Sequence, residues 1–265
     1  MNTPAITTFA DHYLWLESLY SLAGSTALIV VGKLLLVQIP AFKTASIINR
    51  AEAAQRMSRD YYAAAQRRAS LAGGIVILFA FSCVVPFCVT DAVPLMGAAL
   101  WSMFVLLMIY DFLYYLTHRF LFHDGPLGGP LLAMHSVHHQ QKHPCLKDSN
   151  YLHPMETVIG LALYLVSVII VSLVLGRFYW LMLAITSALY IQINEQNHRL
   201  MNLPYFPFRY LNKISALHHV HHARFTAGNY ATITPLYDWL FGTYDIGEGH
   251  SGFWSQKGDA RHHKT

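Results

Sequence analysis

Charge is scarce in this sequence. Of its 265 residues only 12% are Asp, Glu, Lys or Arg, while 54% are hydrophobic. Soluble domains carry about 25% charged residues. The shortage argues against a soluble protein and indicates a membrane protein, because a helix that crosses the apolar layer is built from uncharged residues.

Cysteine is also scarce. Cys83, Cys88 and Cys145 are the only three, and no two of them form a C-x-x-C pair. This excludes a disulfide framework and a cysteine-ligated iron–sulfur cluster. The sequence also lacks the His-Pro-Gly-Gly haem motif of a fused cytochrome b5 domain. Any redox chemistry would therefore need electrons from a separate protein.

What the sequence does contain is long apolar runs. Four of them carry no charged residue: 71–90, 92–110, 157–176 and 178–194. A bilayer core about 30 Å thick needs about 20 such residues per helix, so each run predicts one span. A fifth run, 18–42, is interrupted by Lys33, whose long stem can reach out of the apolar layer. We expect an all-α membrane protein with four or five transmembrane helices, forming a single domain over residues 1–265.

The charges predict how these helices are oriented. The four charge-free runs form two hairpins that turn at 90–94 and 176–178, so both turns face the same side of the membrane. Of the 18 Lys and Arg residues, all but Lys33 and Arg177 lie on the opposite side. By the positive-inside rule that side is the cytoplasm. Membrane topology thus explains the basic residues, which speaks against nucleic-acid binding.

The histidines follow the same division. The cytoplasmic segments 111–156 and 195–265 contain all 16 of them except His12. Two motifs concentrate them, HSVHH and HHVHH. In each motif histidines at i, i+3 and i+4 share one helix face. The two motifs therefore present two sets of three imidazoles: His135, His138 and His139, and His218, His221 and His222.

So many imidazoles on one face indicate a metal site. Without a metal they would be buried unsatisfied groups or would accumulate charge. We predict that the two motifs surround a pair of metal ions, together with His118 and His123. These two residues are five positions apart, which does not fit one face of a regular helix, so we expect the helix to distort or end there.

The ligand type narrows the choice of metal. Imidazoles without thiolates suit iron, zinc, copper or nickel. A site at the mouth of an apolar bundle is placed to act on a lipid, whose unactivated C–H bonds require an oxygen-activating metal. This favours two iron ions, with zinc as an alternative occupant of the same ligands in a purified protein.

Several stretches occur in a characteristic order: YDFLYYLTHRFLFH (110–123), HSVHH, NYLHPMETVIG (150–160), EQNHR (195–199) and HHVHHARFTAGNYATITPLYDWLFGTY (218–244). In these motifs the chain resembles the fatty acid hydroxylase and sterol desaturase superfamily of membrane non-haem di-iron enzymes. The resemblance implies four spanning helices capped by a cytosolic helical metal domain, and O₂ as oxidant. It also implies a separate electron donor of the cytochrome b5, ferredoxin or reductase type.

The resemblance adds a ninth ligand, His198 in EQNHR. Superfamily members that hydroxylate fatty acids have two histidines four residues apart in this box. Here only His198 is present, and Asn194 and Asn202 occupy the two partner positions. An asparagine there could coordinate weakly or hold a water molecule.

Further residues are candidates for supporting roles. Three histidines could be ligands or could hydrogen-bond to ligands: His143, His153 and His219. Three carboxylates are candidates to hydrogen-bond to ligands: Asp111, Glu156 and Glu195. Three tyrosines either line the substrate path or belong to the aromatic belt at the membrane interface: Tyr110, Tyr114 and Tyr115.

The sequence and the resemblance together predict O₂-dependent hydroxylation of an unactivated C–H bond in a membrane lipid such as a fatty acyl chain or sterol. Desaturation on the same site is the first alternative, because the histidine motifs do not separate the two outcomes. A metal-dependent hydrolase would also use histidines but commonly recruits carboxylates. A metal transporter would place ionisable ligands inside its spans, and the four charge-free runs have none.

Overall fold

The computed structural model describes residues 12–123, 128–203, 205–206 and 208–253, and these residues are mostly helical. The predicted all-α class is confirmed. The α-helices, numbered in chain order, are α1 (Trp15–Leu36), α2 (Pro40–Met57), α3 (Asp60–Phe79), α4 (Val85–Cys88), α5 (Met96–Thr117), α6 (Gly128–His138), α7 (Pro154–Leu175), α8 (Trp180–Asn197), α9 (Arg209–Ala223) and α10 (Leu236–Leu240). A π-helical turn (Ala80–Val84) joins α3 to α4, a second (His118–His123) extends α5, and a 3₁₀ turn (Leu146–Asn150) precedes α7.

Four helical segments among the described residues are long and apolar enough to cross a membrane: Trp15–Leu36, Asp60–Cys88, Met96–His123 and Pro154–Leu175. Three of them contain most of the predicted runs 71–90, 92–110 and 157–176. The interrupted run 18–42 supplies the remaining one. Its span ends at Leu36, because the chain turns and Pro40 begins α2.

The fourth charge-free run, 178–194, is not among these four segments. It forms helix α8, whose C-terminal end is polar (Gln192, Asn194, Glu195, Gln196 and Asn197). Helix α8 packs against α1, α5 and α9. Several of these polar groups have partners within the protein: Asn194 donates to the Tyr190 carbonyl oxygen, Asn197 donates to the Thr232 carbonyl oxygen, and Glu195 pairs with Lys33.

The two hairpin turns meet at one end of the molecule. Strand β1 (Val89–Thr90) pairs in parallel with strand β2 (Phe178–Tyr179). This confirms that both turns face the same side. An apolar core lies beside them between α4, α5, α7 and α8, and includes Leu106, Val171 and Leu183.

The polar end lies opposite the paired turns and contains the last described residues, up to 253. There strand β3 (Tyr244–Asp245) pairs antiparallel with strand β4 (His250–Ser251). The sequence GEGHSG at 247–252 has the glycine spacing of a dinucleotide-binding loop, but it forms the β3–β4 turn, and no helix follows it within the described residues. A dinucleotide loop opens a helix within the motif, whereas residues His250–Ser251 of this one form a strand.

Candidate metal centre

The structure brings the nine histidines proposed as ligands together at the polar end of the bundle. They form two groups, and within each group one ring nitrogen per residue lies within 4.8 Å of the others. The five-histidine cluster consists of His118, His123, His135, His139 and His221. The four-histidine cluster consists of His138, His198, His218 and His222.

The end of helix α5 distorts as predicted. Residues His118–His123 form a π-helical turn, in which hydrogen bonds run from residue i to i+5. This wider turn suits two histidines five positions apart. Both rings consequently join the five-histidine cluster.

Each histidine motif contributes to both clusters. From α6 and the turn after it, His135 and His139 join the five-histidine cluster while His138 joins the other. Helix α9 does the reverse, giving His218 and His222 to the four-histidine cluster and His221 to the other. In each motif the two histidines four residues apart belong to one cluster, and the third histidine belongs to the other cluster.

Hydrogen bonds at Nδ1 fix the orientation of most of these rings. The Nδ1 atoms of six histidines contact backbone carbonyl oxygens at 2.7–3.2 Å: His118 to Tyr230, His123 to Phe225, His138 to Tyr151, His198 to Asn194, His221 to Gly228 and His222 to Gln141. In His135 the partner is Glu156 Oε1, at 2.8 Å. A carbonyl oxygen can only accept, so Nδ1 carries the proton and Nε2 presents a lone pair.

Those lone pairs face one another. The Nε2 atoms of His118 and His135 are 3.0 Å apart, and those of His138 and His198 are 3.1 Å apart. Two acceptors at this distance repel unless a cation lies between them. Two nitrogens at right angles, each about 2.1 Å from a metal ion, are about 3.0 Å apart. The donor set and its spacing therefore fit a metal ion in each cluster.

Burial keeps these imidazoles neutral. His135, His138, His198, His218, His221 and His222 are all at most 7% exposed. Burial lowers the pKa of His138 to about 4 and that of His221 to about 3. It also lowers the pKa of His198 and His218 well below the usual range, with a further contribution from neighbouring histidines. Neutral imidazole is the form that binds metal.

The three predicted carboxylates have different surroundings. Glu156 bonds to His135 and is buried, and its second oxygen, Oε2, has no partner. Asp111 contacts no histidine; its carboxylate accepts from the backbone N–H groups of 232–234. It thereby anchors the loop that supplies the Tyr230 carbonyl. Glu195 forms an ion pair with Lys33 at 2.8 Å, so the Lys33 side chain is paired within the protein.

The other polar candidates lie outside the clusters. His143 is exposed, and His153 accepts from Met155 N at the start of α7. His219 contacts two backbone carbonyls, those of Ser215 and Pro144. Asn202 is exposed. Asn194 offers its backbone oxygen, rather than its side chain, to His198.

A cavity of about 810 Å³ lies beside the clusters. Four of the histidines line it: His118, His138, His198 and His218. Tyr110 and Tyr114 also line it. This agrees with the interpretation that the tyrosines line the substrate path. Tyr115 does not: its hydroxyl lies 3.2 Å from that of Thr243, on a different face of α5.

The loop after HHVHH was not predicted to support the site, yet it supplies three of the carbonyl partners. One of these partners is Gly228, the glycine of the GNYA motif, and its surroundings explain why a glycine stands there. A Cβ atom there would lie 1.7 Å from the Thr243 carbonyl oxygen, so only glycine fits while its own carbonyl accepts from His221. Asn229 follows with φ 66° and bonds to the Leu217 and Asp245 carbonyls. The glycine was visible in the sequence, but its contacts were not.

Apolar helices and a buried pair of histidine clusters define the class, an integral membrane protein with a candidate two-metal centre. Residues 103–243, more than half of the chain, match the fatty acid hydroxylase family. The chain belongs to this family, as its motifs indicated, and the matched region contains all nine clustered histidines.

Two relatives are each similar over about half of the chain. Methylsterol monooxygenase 1 of Rattus norvegicus is 29% identical over 139 residues, which cover 51% of this chain and 44% of that protein. Protein CER1-like 2 of Arabidopsis thaliana is 28% identical over 142 residues, which cover 51% of this chain and 22% of that protein. The matches thus span less than half the length of either relative. No solved structure gives a significant match.

Proposed function

We propose that this chain catalyses the O₂-dependent oxidation of a membrane lipid, by hydroxylation of an unactivated C–H bond, at two iron ions held by the nine histidines. The observation that carries the proposal is the pair of imidazole clusters beside a cavity of about 810 Å³, which three histidines of the four-histidine cluster and His118 line. Family membership supports it, as does the name of the rat relative, a monooxygenase of a methylsterol.

In this proposal the histidines act as metal ligands and the cavity wall binds the lipid. The nine imidazoles would hold the metals, and their Nδ1 partners keep each ring turned toward the cluster centre. Two bound iron ions would supply the activation of O₂ that such a C–H bond requires. Tyr110, Tyr190 and Leu161 give the cavity an aromatic and apolar wall, which excludes water and positions a lipid chain. A separate electron donor would complete the reaction.

Metal analysis and lipid analysis test this proposal. Protein purified without chelators is expected to contain about two transition-metal ions per chain, one for each cluster. Lipids from cells with and without the gene are then compared by mass spectrometry under air and under nitrogen. A gain of one oxygen supports hydroxylation, and a loss of two hydrogens would indicate desaturation instead. Turnover that does not depend on O₂ would point to a hydrolase and overturn the proposal.

A cavity-filling variant tests whether the lipid enters this cavity. Gly160 lines it, and no atom lies within 4 Å of the position that a Cβ would take. Gly160→Leu should therefore place its side chain in the cavity and lower oxidation while both metals stay bound. Gly97→Leu is the matched control, because Gly97 is equally unobstructed but exposed and away from the cavity.

We also propose that the metal centre faces the cytoplasm, on the strength of the basic residues. A cysteine introduced at the exposed Val93, near the paired turns, should react with an impermeant label applied to intact cells. A cysteine at Asn212 on helix α9 should be protected. The opposite pattern would reverse the orientation.

A further inference from the structure

An arginine beside the four-histidine cluster has no acidic partner. Arg199 lines the cavity and is 6% exposed. Its Nη1 contacts Ser46 Oγ at 3.3 Å, and its guanidinium lies 5.5 Å from the centre of the Phe42 ring. Its Nε is buried without a hydrogen-bond partner, and no carboxylate in the described part of the chain lies within ion-pair distance of it.

An unpaired buried charge is unfavourable, so its presence calls for an explanation. Taking a cation out of water without a counter-charge costs several kcal/mol. Glu195, four residues earlier, acts on the Arg199 charge only from a distance, because its carboxylate forms its ion pair with Lys33. The guanidinium charge of Arg199 thus has no ion-pair partner among the described residues at the edge of the cavity that it lines.

Two further cations surround the same part of the cavity. Arg50 and Lys147 both line it, both are exposed, and neither forms an ion pair among the described residues. Among the described residues, the cavity wall contains two acids: Glu195, which is paired with Lys33, and Glu156, which is bonded to His135. This side of the cavity therefore has an excess of positive charge.

One buried asparagine holds the three cations in place. Asn49 is 3% exposed, and its Oδ1 accepts from the backbone N–H groups of Leu146 and Leu200 at 2.8 and 3.1 Å. Its Nδ2 donates to the Leu200 carbonyl oxygen at 2.8 Å. Arg50, Lys147 and Arg199 are the chain neighbours of these three residues. A single set of hydrogen bonds thus fixes the backbone at all three positions.

From this arrangement we propose that the cavity binds a lipid with an anionic head group, a carboxylate or a phosphate, whose oxygens are held by Arg199 with Arg50 and Lys147. The apolar wall formed by Ile77 and Leu161 then receives the hydrocarbon chain. This inference rests on the proposed function, because it takes the cavity as the lipid site. It separates this chain from enzymes whose lipid carries an uncharged hydroxyl.

Equilibrium binding tests the head-group preference without any oxidation. The full-length protein in an uncharged detergent is titrated with a long-chain fatty acid, the fatty alcohol of the same length, and a phosphatidic acid. Hydrogen bonds to charged groups correspond to about 10- to 100-fold in affinity. We expect at least one of the two acidic lipids to bind at least about tenfold more tightly than the alcohol, and the tighter of the two identifies the oxyanion.

Substitutions then assign the preference to the cations. Arg199→Gln should remove most of it while leaving the affinity for the alcohol unchanged, and Arg199→Lys should keep part of it. The double variant Arg50→Gln with Lys147→Gln should weaken it without affecting folding, because both side chains are exposed. Arg67→Gln is the control, since Arg67 is exposed on α3 and does not line the cavity.

Two results would overturn the head-group proposal. One is equal binding of both acidic lipids and the alcohol by the wild-type protein. The other is a preference that survives in folded Arg199→Gln or, should that variant not fold, in the double variant. Failure of the proposed function looks different. A protein that binds acidic lipids through Arg199 but never oxidises a lipid would contradict only the oxidase assignment, whereas oxidation confined to neutral lipids would contradict only the head-group assignment.

Discussion

The two histidine clusters differ in what surrounds them. Three of the four residues of the four-histidine cluster line the cavity, whereas only His118 of the five-histidine cluster does. Aromatic rings cover the five-histidine cluster instead: Phe122 stacks on His135 at 4.9 Å between ring centres, and Phe225 lies 4.4 Å from His123. Apart from the partly exposed His123, the five-histidine cluster is thus enclosed by protein, whereas the other cluster faces the space where a lipid would lie.

If each cluster holds a metal ion, as proposed, this difference gives the two sites unequal roles. The enclosed cluster offers five imidazoles and the cavity-facing cluster four, so the second leaves more coordination positions for other ligands. We infer that the substrate meets the four-histidine cluster, while the enclosed one completes the centre. The predictions below separate the clusters, beginning with the largest expected effect.

Removing one ligand from either cluster should abolish activity. His138→Ala opens a position in the four-histidine cluster, and His221→Ala opens one in the five-histidine cluster. Loss of a group that only supports a ligand costs about 10- to 100-fold, so we expect loss of a ligand to lower O₂-dependent turnover by more than about a hundredfold. Turnover, metal content and membrane insertion are measured together.

The control for these variants is His262→Ala, which lies outside the described residues and should behave as the wild type. Near-normal oxidation in either cluster variant would mean that the histidines are structural. A metal content close to one per chain in both variants would show that each cluster holds its own ion.

Metal removal should make stability depend on pH. An unfolded histidine has a pKa of about 6.5, while burial lowers that of folded, metal-free His138 to about 4. Above pH 6.5 this histidine is neutral in both the folded and the unfolded state, so it does not make the unfolding free energy depend on pH. As the pH falls from 6.5 to 4 only the unfolded state takes up the proton, so stability decreases, by about 3 kcal/mol for this residue.

Thermal unfolding of metal-free and metal-loaded protein across this pH range checks the prediction. The metal-loaded protein should be more stable wherever its ions stay bound, because metal binds the folded state. A metal-free protein whose midpoint is the same at pH 7 and pH 5 would contradict the buried, neutral state of the clusters.

The enclosed cluster should depend selectively on Glu156. Its carboxylate bonds to His135 at 2.8 Å. In the four-histidine cluster, His138, His198 and His222 contact backbone carbonyl oxygens instead. Glu156→Gln keeps the shape but removes the negative charge, so we expect metal affinity at one site to fall by about tenfold or more while the other is unchanged. Chelator competition should then resolve two phases of metal release.

Glu195→Gln is the matched control for this prediction. Glu195 is paired with Lys33 and contacts no histidine, so both affinities should stay at their wild-type values. Equal weakening of both sites by Glu156→Gln would mean that the two clusters cannot be treated separately.

The sequence predicted those parts of the site that depend on local spacing. The i, i+3, i+4 pattern placed His135, His138 and His139 together, and the five-residue interval from His118 to His123 predicted the distortion that became a π-helical turn. Both follow from helix geometry within a few residues. The division of each motif between two clusters did not follow, because all three positions share one face and the neighbouring helices decide which way each ring turns.

The supporting contacts could not be predicted because they join distant parts of the chain. The Tyr230 carbonyl is 112 residues from His118, and Asp111 reaches residues 232–234. Arg199 looked like an ordinary cytoplasmic cation by composition, and its burial without an ion-pair partner among the described residues appears only in three dimensions.

The smallest effect is expected at His219, inside the same HHVHH motif. Its Nδ1 and Nε2 contact the carbonyl oxygens of Ser215 and Pro144 at 2.7 and 3.0 Å, so both nitrogens are engaged away from the clusters. His219→Asn should therefore leave two metals bound and activity within about twofold. Loss of these contacts should lower the unfolding free energy by about 1–2 kcal/mol, which a thermal melt of the metal-loaded protein would detect. A loss of one metal ion in this variant would instead identify His219 as a ligand and make the two clusters equal in size.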